Sequence, residues 1–290
     1  MQAEGQDGLK VPPLWAELHR LAAARLGGSV EARWFVEEAS GVPWVEAMAA
    51  QAPARGQRAF WSMVDRRLAG EPVQYVLGHW SFRSLDLMVD RRVLIPRPET
   101  EVVVDMALKE LDGLGTSRPV VDLGTGSGAI ALSIAVERQR ARVFATDVSP
   151  GALAVASANL AGLGARAAGR VQLKLGDWWG ALPEALEGNI ALAVCNPPYV
   201  SLPELPSLPA EVACWEPREA LVAGESGLEA LEAVLEGTPR WLAKGAALVA
   251  EIAPHQAERA GELAAAAGLA EVAVRRDLAG RDRVLVARRR

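Results

Sequence analysis

Val120-Val121-Asp122-Leu123 runs directly into Gly124-Thr125-Gly126-Ser127-Gly128, and a helix-forming stretch, read as Gly128 to Arg138, follows at once. With Pro119 before them, these largely apolar residues are predicted to form a short buried strand, Pro119 to Leu123. The glycines let the chain turn sharply and let backbone approach a ligand that a side chain would block. The start of the following helix then offers N–H groups that an anion can use. Strand, glycine turn and helix in that order open a βαβ unit.

Downstream the alternation continues. Strands are predicted at Ala141 to Thr146, Arg170 to Leu175, Asn189 to Cys195 and Ala246 to Ile252, with helices at Ser149 to Leu163, Ser226 to Leu242 and His255 to Ala267. Two last strands, Leu269 to Arg275 and Arg283 to Ala287, are joined as a hairpin through Asp277-Leu278-Ala279-Gly280. Such alternation means an α/β fold with a mostly parallel sheet covered by helices and an antiparallel strand near its end.

Upstream, Glu99 to Leu111 reads as a helix. Before it, Leu85, Leu87 and Val89 alternate with polar residues as in a hairpin strand, which ends at Ile95-Pro96-Arg97-Pro98. The first stretch reads as a small helical bundle. Leu14, Leu18, Leu21 and Leu26 fall near one helical face, and Phe60, Trp61, Val64 and Leu68 form a second apolar stripe. Four tryptophans (Trp15, Trp34, Trp44, Trp61) lie here, to be read either as core or as lining for a partner. The expected layout is a helical docking domain over 1–71, a β-hairpin linker over 72–95 and an α/β catalytic domain over 96–290.

Composition narrows the class. Lys+Arg 31 against Asp+Glu 36 gives a net charge of -5, which argues against binding nucleic acid through bulk positive charge. No apolar run approaches the ~18 residues of a membrane span. The opening MQAEGQDGLK lacks the features of a signal peptide, so a soluble, cytoplasmic protein is expected. Two cysteines (Cys195, Cys214) and three scattered histidines (His19, His79, His255) give no metal site on ligand count.

Three strand ends in a row carry candidate ligand groups: the turn Gly124 to Gly128, Asp147, and Asp177-Trp178 after Gly176. Asp147 can accept both hydroxyls of a ribose, or it can cap the helix beginning after Ser149-Pro150. Asp177 can take the exocyclic amine of an adenine and Trp178 can pack on its ring. Together they describe an adenosine-shaped pocket. The glycine spacing is G-x-G-x-G with Ala129 at the last place of a dinucleotide fingerprint, so spacing alone leaves NAD open.

The fourth strand end decides between cofactors. It carries Asn196-Pro197-Pro198-Tyr199, holding one of the chain's three asparagines. Two prolines fix the backbone and remove two N–H donors. The side-chain oxygen of Asn196 and the carbonyl of Pro197 can accept both hydrogens of a planar –NH2 group, with Tyr199 as a flat face against it. Acceptors of this kind favour attack by a poorly nucleophilic nitrogen on a methyl group.

The motifs Asp122-Leu-Gly-Thr-Gly-Ser-Gly, Asp147, Gly176-Asp177-Trp178 and Asn196-Pro-Pro-Tyr resemble those of Rossmann-like S-adenosylmethionine-dependent methyltransferases. Glu71-Pro72-Val73-Gln74-Tyr75-Val76-Leu77-Gly78, Leu94-Ile95-Pro96-Arg97-Pro98-Glu99-Thr100-Glu101 and Trp215-Glu216-Pro217-Arg218-Glu219-Ala220-Leu221 narrow the resemblance. Together they are similar to the protein-glutamine N5-methyltransferases that modify class I peptide chain release factors. The resemblance runs from about Glu71 to Arg283. It implies methyl transfer from S-adenosylmethionine, leaving S-adenosylhomocysteine, to the glutamine amide of the release factor's Gly-Gly-Gln loop.

By the same resemblance Gly124, Thr125, Gly126, Ser127, Gly128, Asp147, Asp177, Trp178 and Asn196 border the cofactor. Asn196, Pro197, Pro198, Tyr199 and Arg97 meet the substrate, with Asn196, Pro197 and Tyr199 at the reacting amide. One departure is Ala253, where the family usually has glycine. A DNA adenine methyltransferase could use the same four-residue cradle after base flipping, but the net charge and the lack of a target-reading insertion speak against it. A dehydrogenase would leave Asn196 to Tyr199 without a purpose. A non-catalytic module would not need Asn196 and the glycines intact.

Overall fold

A computed structural model describes residues 12–114 and 118–290. The opening decapeptide, and with it the expectation of no leader, lies outside the described residues, as do residues 1–11 of the expected first domain. The chain divides into two units, Met1–Leu77 and Gly78–Arg290.

The first unit is helical: α1 (Trp15–Leu26), α2 (Ser29–Ser40), α3 (Trp44–Ala47), α4 (Ala54–Leu68) and the short α5 (Val73–Leu77). Its core gathers Trp15, Leu18, Ala22, Phe35, Val36, Phe60, Met63 and Val64. The buried stripe of α1 is therefore Trp15, Leu18 and Ala22, while Leu14 and Leu21 are exposed. A large indole at the head of the helix rotates the buried face away from the leucine ladder that spacing alone suggested. Leu68 is likewise exposed, and Met63 takes its place in the core. Trp15 is core; Trp34, Trp44 and Trp61 are only half buried, and Arg33 and Arg25 lie over the rings of Trp44 and Trp61.

The hairpin of the second unit pairs β1 (His79–Phe82) with β2 (Leu85–Met88). Phe82, Leu85 and Leu87 enter the same core as Val103 and Leu108 of α6 (Pro98–Leu114), so the hairpin is packed into the second unit. Val73 to Leu77, expected to begin the hairpin region, is instead the last helical turn of the first unit.

The large sheet contains β3 (Val120–Leu123), β4 (Val143–Asp147), β5 (Val171–Leu175), β6 (Ile190–Cys195), β9 (Leu242–Glu251), β10 (Leu269–Arg276) and β11 (Asp282–Arg289). A separate small pair is formed by β7 (Val200–Ser201) and β8 (Val222–Gly224), with the short helices α9 (Ala210–Trp215) and α10 (Arg218–Leu221) between them in the chain. Across the large sheet the order is β10-β11-β9-β6-β3-β4-β5, and β11 alone runs antiparallel to its neighbours. Side chains alternate between the two faces as the pleat demands. Val120, Leu192, Val194 and Val249 pack with α6 and α7 (Ala129–Glu137). Val121, Leu123, Cys195 and Leu248 pack with α11 (Glu229–Trp241) and α12 (Ala257–Ala266). Because both faces are covered, β3 and β6 are buried throughout. Among the described residues no helix is long and apolar enough to cross a membrane.

Strand order reverses between β3 and β6, and a crevice outside the carboxyl ends of such strands is where α/β sheets bind ligands. The register sets the strand ends level: Leu123 opposes both Thr146 and Cys195, and Cys195 opposes Ala250. Gly124, Asp147, Asn196 and Glu251 consequently emerge along one edge.

The Trp178-Trp179 turn is anchored from behind. The Trp179 indole donates to the Val234 carbonyl at 2.9 Å and lies so close to α11 that a Cβ on Gly237 would sit 2.2 Å from the ring. Alanine gains about 1 kcal/mol over glycine in a helix, but overpacking costs about 1–3 kcal/mol and the indole bond about 1 more. Gly237→Ala is expected to lower stability by about 1–3 kcal/mol, a fall in Tm of roughly 2–12 °C by scanning calorimetry. A raised Tm would mean that the ring gives way at no cost.

Candidate active site

An open cleft of about 970 Å³, mouth included, lies at this edge. Its walls include Gly124, Thr125, Gly126, Ser127, Asp147, Asp177, Trp178, Asn196, Pro198 and Arg97, so the structure brings together most residues singled out from sequence. Three stand back from the wall. Gly128 faces Leu132, whose Cδ1 would lie 3.0 Å from an added Cβ; Pro197 is buried, and Tyr199 turns toward Glu251.

The glycine turn differs from the expected anion cradle. The N–H groups of Gly124 and Thr125 both donate to the Thr146 carbonyl, at 2.9 and 2.8 Å, and that of Gly128 donates to Thr125 at 2.8 Å. Gly126 N–H donates to Asp147 Oδ2 at 2.8 Å. At the helix start, Asp122 Oδ2 already accepts Ala131 N–H and the Thr125 hydroxyl. Wholly buried, Asp122 has its carboxyl pushed up to about 7 by desolvation, and among the described residues its Oδ1 has no partner. A turn whose N–H groups are so largely spent inward is poorly suited to the pyrophosphate of a dinucleotide, which accepts hydrogen bonds from such groups. It remains suited to a ligand that needs room: an added Cβ on Gly126 would meet no atom within 4 Å.

Asp147 does not cap the next helix. Ser149 does so, its Oγ accepting Ala152 N–H at 3.2 Å at the head of α8 (Pro150–Leu163). Asp147 instead ties two loops together, accepting Gly126 N–H through Oδ2 and Ser149 N–H through Oδ1. Each oxygen keeps a second lone pair for a ligand. Burial pushes this carboxyl up, against the pull of those N–H groups and helped by Glu219 nearby. Trp178 adopts a left-handed backbone, φ 41, and its ring lies against Gly124. Asp177 is exposed beside it. An acceptor aspartate, a flat indole and an open glycine turn fit the adenosine end of S-adenosylmethionine.

Asn196 is half buried and oriented. Its Nδ2 donates to Thr100 Oγ1 at 3.2 Å, and Thr100 Oγ1 donates to Glu251 Oε2 at 2.7 Å. Among the described residues nothing donates to Asn196 Oδ1 or to the Pro197 carbonyl. Tyr199 faces the same Glu251, and burial pushes its phenol up to about 12. The Tyr199 carbonyl is clamped by Gln256 Nε2 at 3.0 Å, which also donates to Gly227. Arg97 lines the cleft, but its guanidinium is already paired with the buried carboxylate of Glu216. Ala253 holds φ -71 and ψ 146, ordinary for any residue, so the departure from glycine costs the loop nothing.

Sequence reading passed over Glu251 and Gln256 as site residues. Glu251 had a signal, being a carboxylate at the end of an otherwise apolar buried strand on the ligand edge. Gln256 had none.

Residues 17–78 match the PrmC N-terminal domain family and residues 100–205 the Methyltransferase small domain family. A release factor glutamine methyltransferase of Moorella thermoacetica is 47% identical over 240 residues, 82% of this chain and 82% of that protein. The chain belongs to the release factor glutamine methyltransferase family. A relative of the same name from Bordetella pertussis is 42% identical over 258 residues, 88% of this chain and 93% of that one. A solved methyltransferase from Pyrococcus furiosus shares the fold with TM-score 0.52 at 17% identity, covering 77% of this chain and 96% of that one. The chain is thus an α/β methyltransferase, and the first family's match ends where the two structural units divide.

Proposed function

We propose that this chain methylates the side-chain amide nitrogen (N5) of the glutamine in the Gly-Gly-Gln loop of class I peptide chain release factors, with S-adenosylmethionine as donor. The observation that carries the reading is the pair of unused acceptors, Asn196 Oδ1 and the Pro197 carbonyl, beside a glycine turn unsuited to phosphate. Bound in the cleft, the cofactor supplies an electrophilic methyl carbon and leaves as S-adenosylhomocysteine. Gly124 to Ser127, Asp147, Asp177 and Trp178 would hold it. Asn196 and Pro197 accept the two N–H bonds of the substrate amide, and Pro198 keeps their backbone rigid. As the nitrogen gains its carbon bond, positive charge grows on it and both acceptors tighten their hold. The amide then gives up one proton to solvent. Tyr199 offers its ring to the amide plane. Arg97, with its charge matched by Glu216, borders the substrate.

Mass spectrometry of a release-factor digest after incubation with the protein and S-adenosylmethionine should show one added methyl on the loop glutamine. Methyl on duplex DNA instead would overturn the reading. The first unit serves to dock the release factor away from its loop. Removing it should impair methylation of the whole factor more than of a short loop peptide, and equal losses on both would end that role.

A further inference from the structure

Asn196 can face the substrate with either end of its amide, and only one end is useful. Glu251 is 1% exposed and sits on the strand beside β6, level with Asn196. As a carboxylate it can only accept, so it claims the single hydroxyl proton of Thr100, and Thr100 Oγ1 is left with lone pairs alone toward Asn196. Asn196 must then present its NH2 to Thr100, as it does at 3.2 Å. The opposite turn would set Oδ1 against an oxygen with no proton to share, a mismatch inside a buried site.

We infer that Glu251, acting through Thr100, is a positioning residue that holds the Asn196 amide in the one orientation presenting Oδ1 to the substrate's NH2 group. The inference rests on the methyl-transfer reading above, since that reading makes Oδ1 the working end.

Burial pushes the Glu251 carboxyl up to about 7. Above that pH it is an acceptor only; below it the group carries a proton that it can donate to Thr100. Thr100 is then free to donate to Asn196, and the constraint on direction is lost. The other groups facing Glu251 hold their state near pH 7. They are Glu99 at the head of α6, lowered by its own backbone N–H and by Arg281, and Tyr199, raised to about 12; the Arg283 side chain on β11 also faces Glu251, with Asp277 beside it. On β6, the Cys195 thiol is pushed well up by burial. Asp122, also pushed up to about 7, is intact in every variant below, so a shift that it caused would persist in Glu251→Gln.

The test uses the full chain as wild type, Thr100→Val, Thr100→Ser and Glu251→Gln. The valine variant should turn over about tenfold more slowly at saturating release factor, the worth of one hydrogen bond, with unchanged calorimetric affinity for S-adenosylmethionine. The serine variant should recover to within about twofold of wild type. A second readout needs no cofactor. With three asparagines in the chain, the Asn196 side-chain NH2 can be followed by nitrogen-15 NMR. Its signal should shift as pH falls through about 7 in wild type, and the shift should vanish in Glu251→Gln. Full turnover in Thr100→Val, a serine variant as slow as the valine one, or an NH2 signal indifferent to pH would each overturn the inference. If wild type itself leaves the release factor unmethylated, the functional reading fails instead, and the NMR result still decides the orientation.

Discussion

Asn196→Ala is expected to lower turnover by on the order of 10²–10³, the cost of removing one preorganised group aimed at developing charge. The substitution takes away Oδ1, the only side-chain acceptor for the substrate amide in this reading, and leaves the Pro197 carbonyl working alone. It also strands Thr100, whose lone pairs lose the Nδ2 donor at 3.2 Å. The effect should fall on kcat with little change in KM, because the interaction strengthens as charge grows on nitrogen. Steady-state methylation of the release factor at saturating S-adenosylmethionine measures it. Turnover within a few-fold of wild type would remove Asn196 from the chemistry.

Asp147→Ala is expected to raise the Kd for S-adenosylmethionine about a hundredfold. Two hydrogen bonds from ribose hydroxyls to a carboxylate are together worth about 3 kcal/mol. The same change frees Gly126 N–H and Ser149 N–H, now held at 2.8 and 2.9 Å, and so loosens the turn as well. Titration calorimetry reads the affinity directly. Should the Kd hold steady in a folded variant, Asp147 serves only to tie the two loops.

Much of the site could be read along the chain because its parts are short and local. A glycine turn after a strand, an aspartate after the next strand and Asn-Pro-Pro-Tyr after a later one each declare themselves within a few residues. The α/β alternation is legible for the same reason: apolar runs and helical periods are local patterns, and the order of the motifs names the family. Boundaries and faces were less legible. In α1, which of two overlapping stripes turned inward depended on where the Trp15 ring could be packed. At Val73 to Leu77, a short apolar run served a helical turn as well as it would have served a strand.

Tertiary structure alone decided what surrounds Asn196. Thr100 and Glu251 are far from it in sequence; β9 pairs in parallel with β6 and sets Ala250 opposite Cys195, which brings Glu251 level with Asn196, and Thr100 on α6 bridges the two. It likewise decided that the glycine turn spends its N–H groups inward, since those bonds go to the ends of β3 and β4 once the two strands lie side by side. The residue types along the chain are sufficient to name a nitrogen acceptor site. Which way its amide points is settled by hydrogen-bond donors and acceptors, and these are counted only after folding has buried them together.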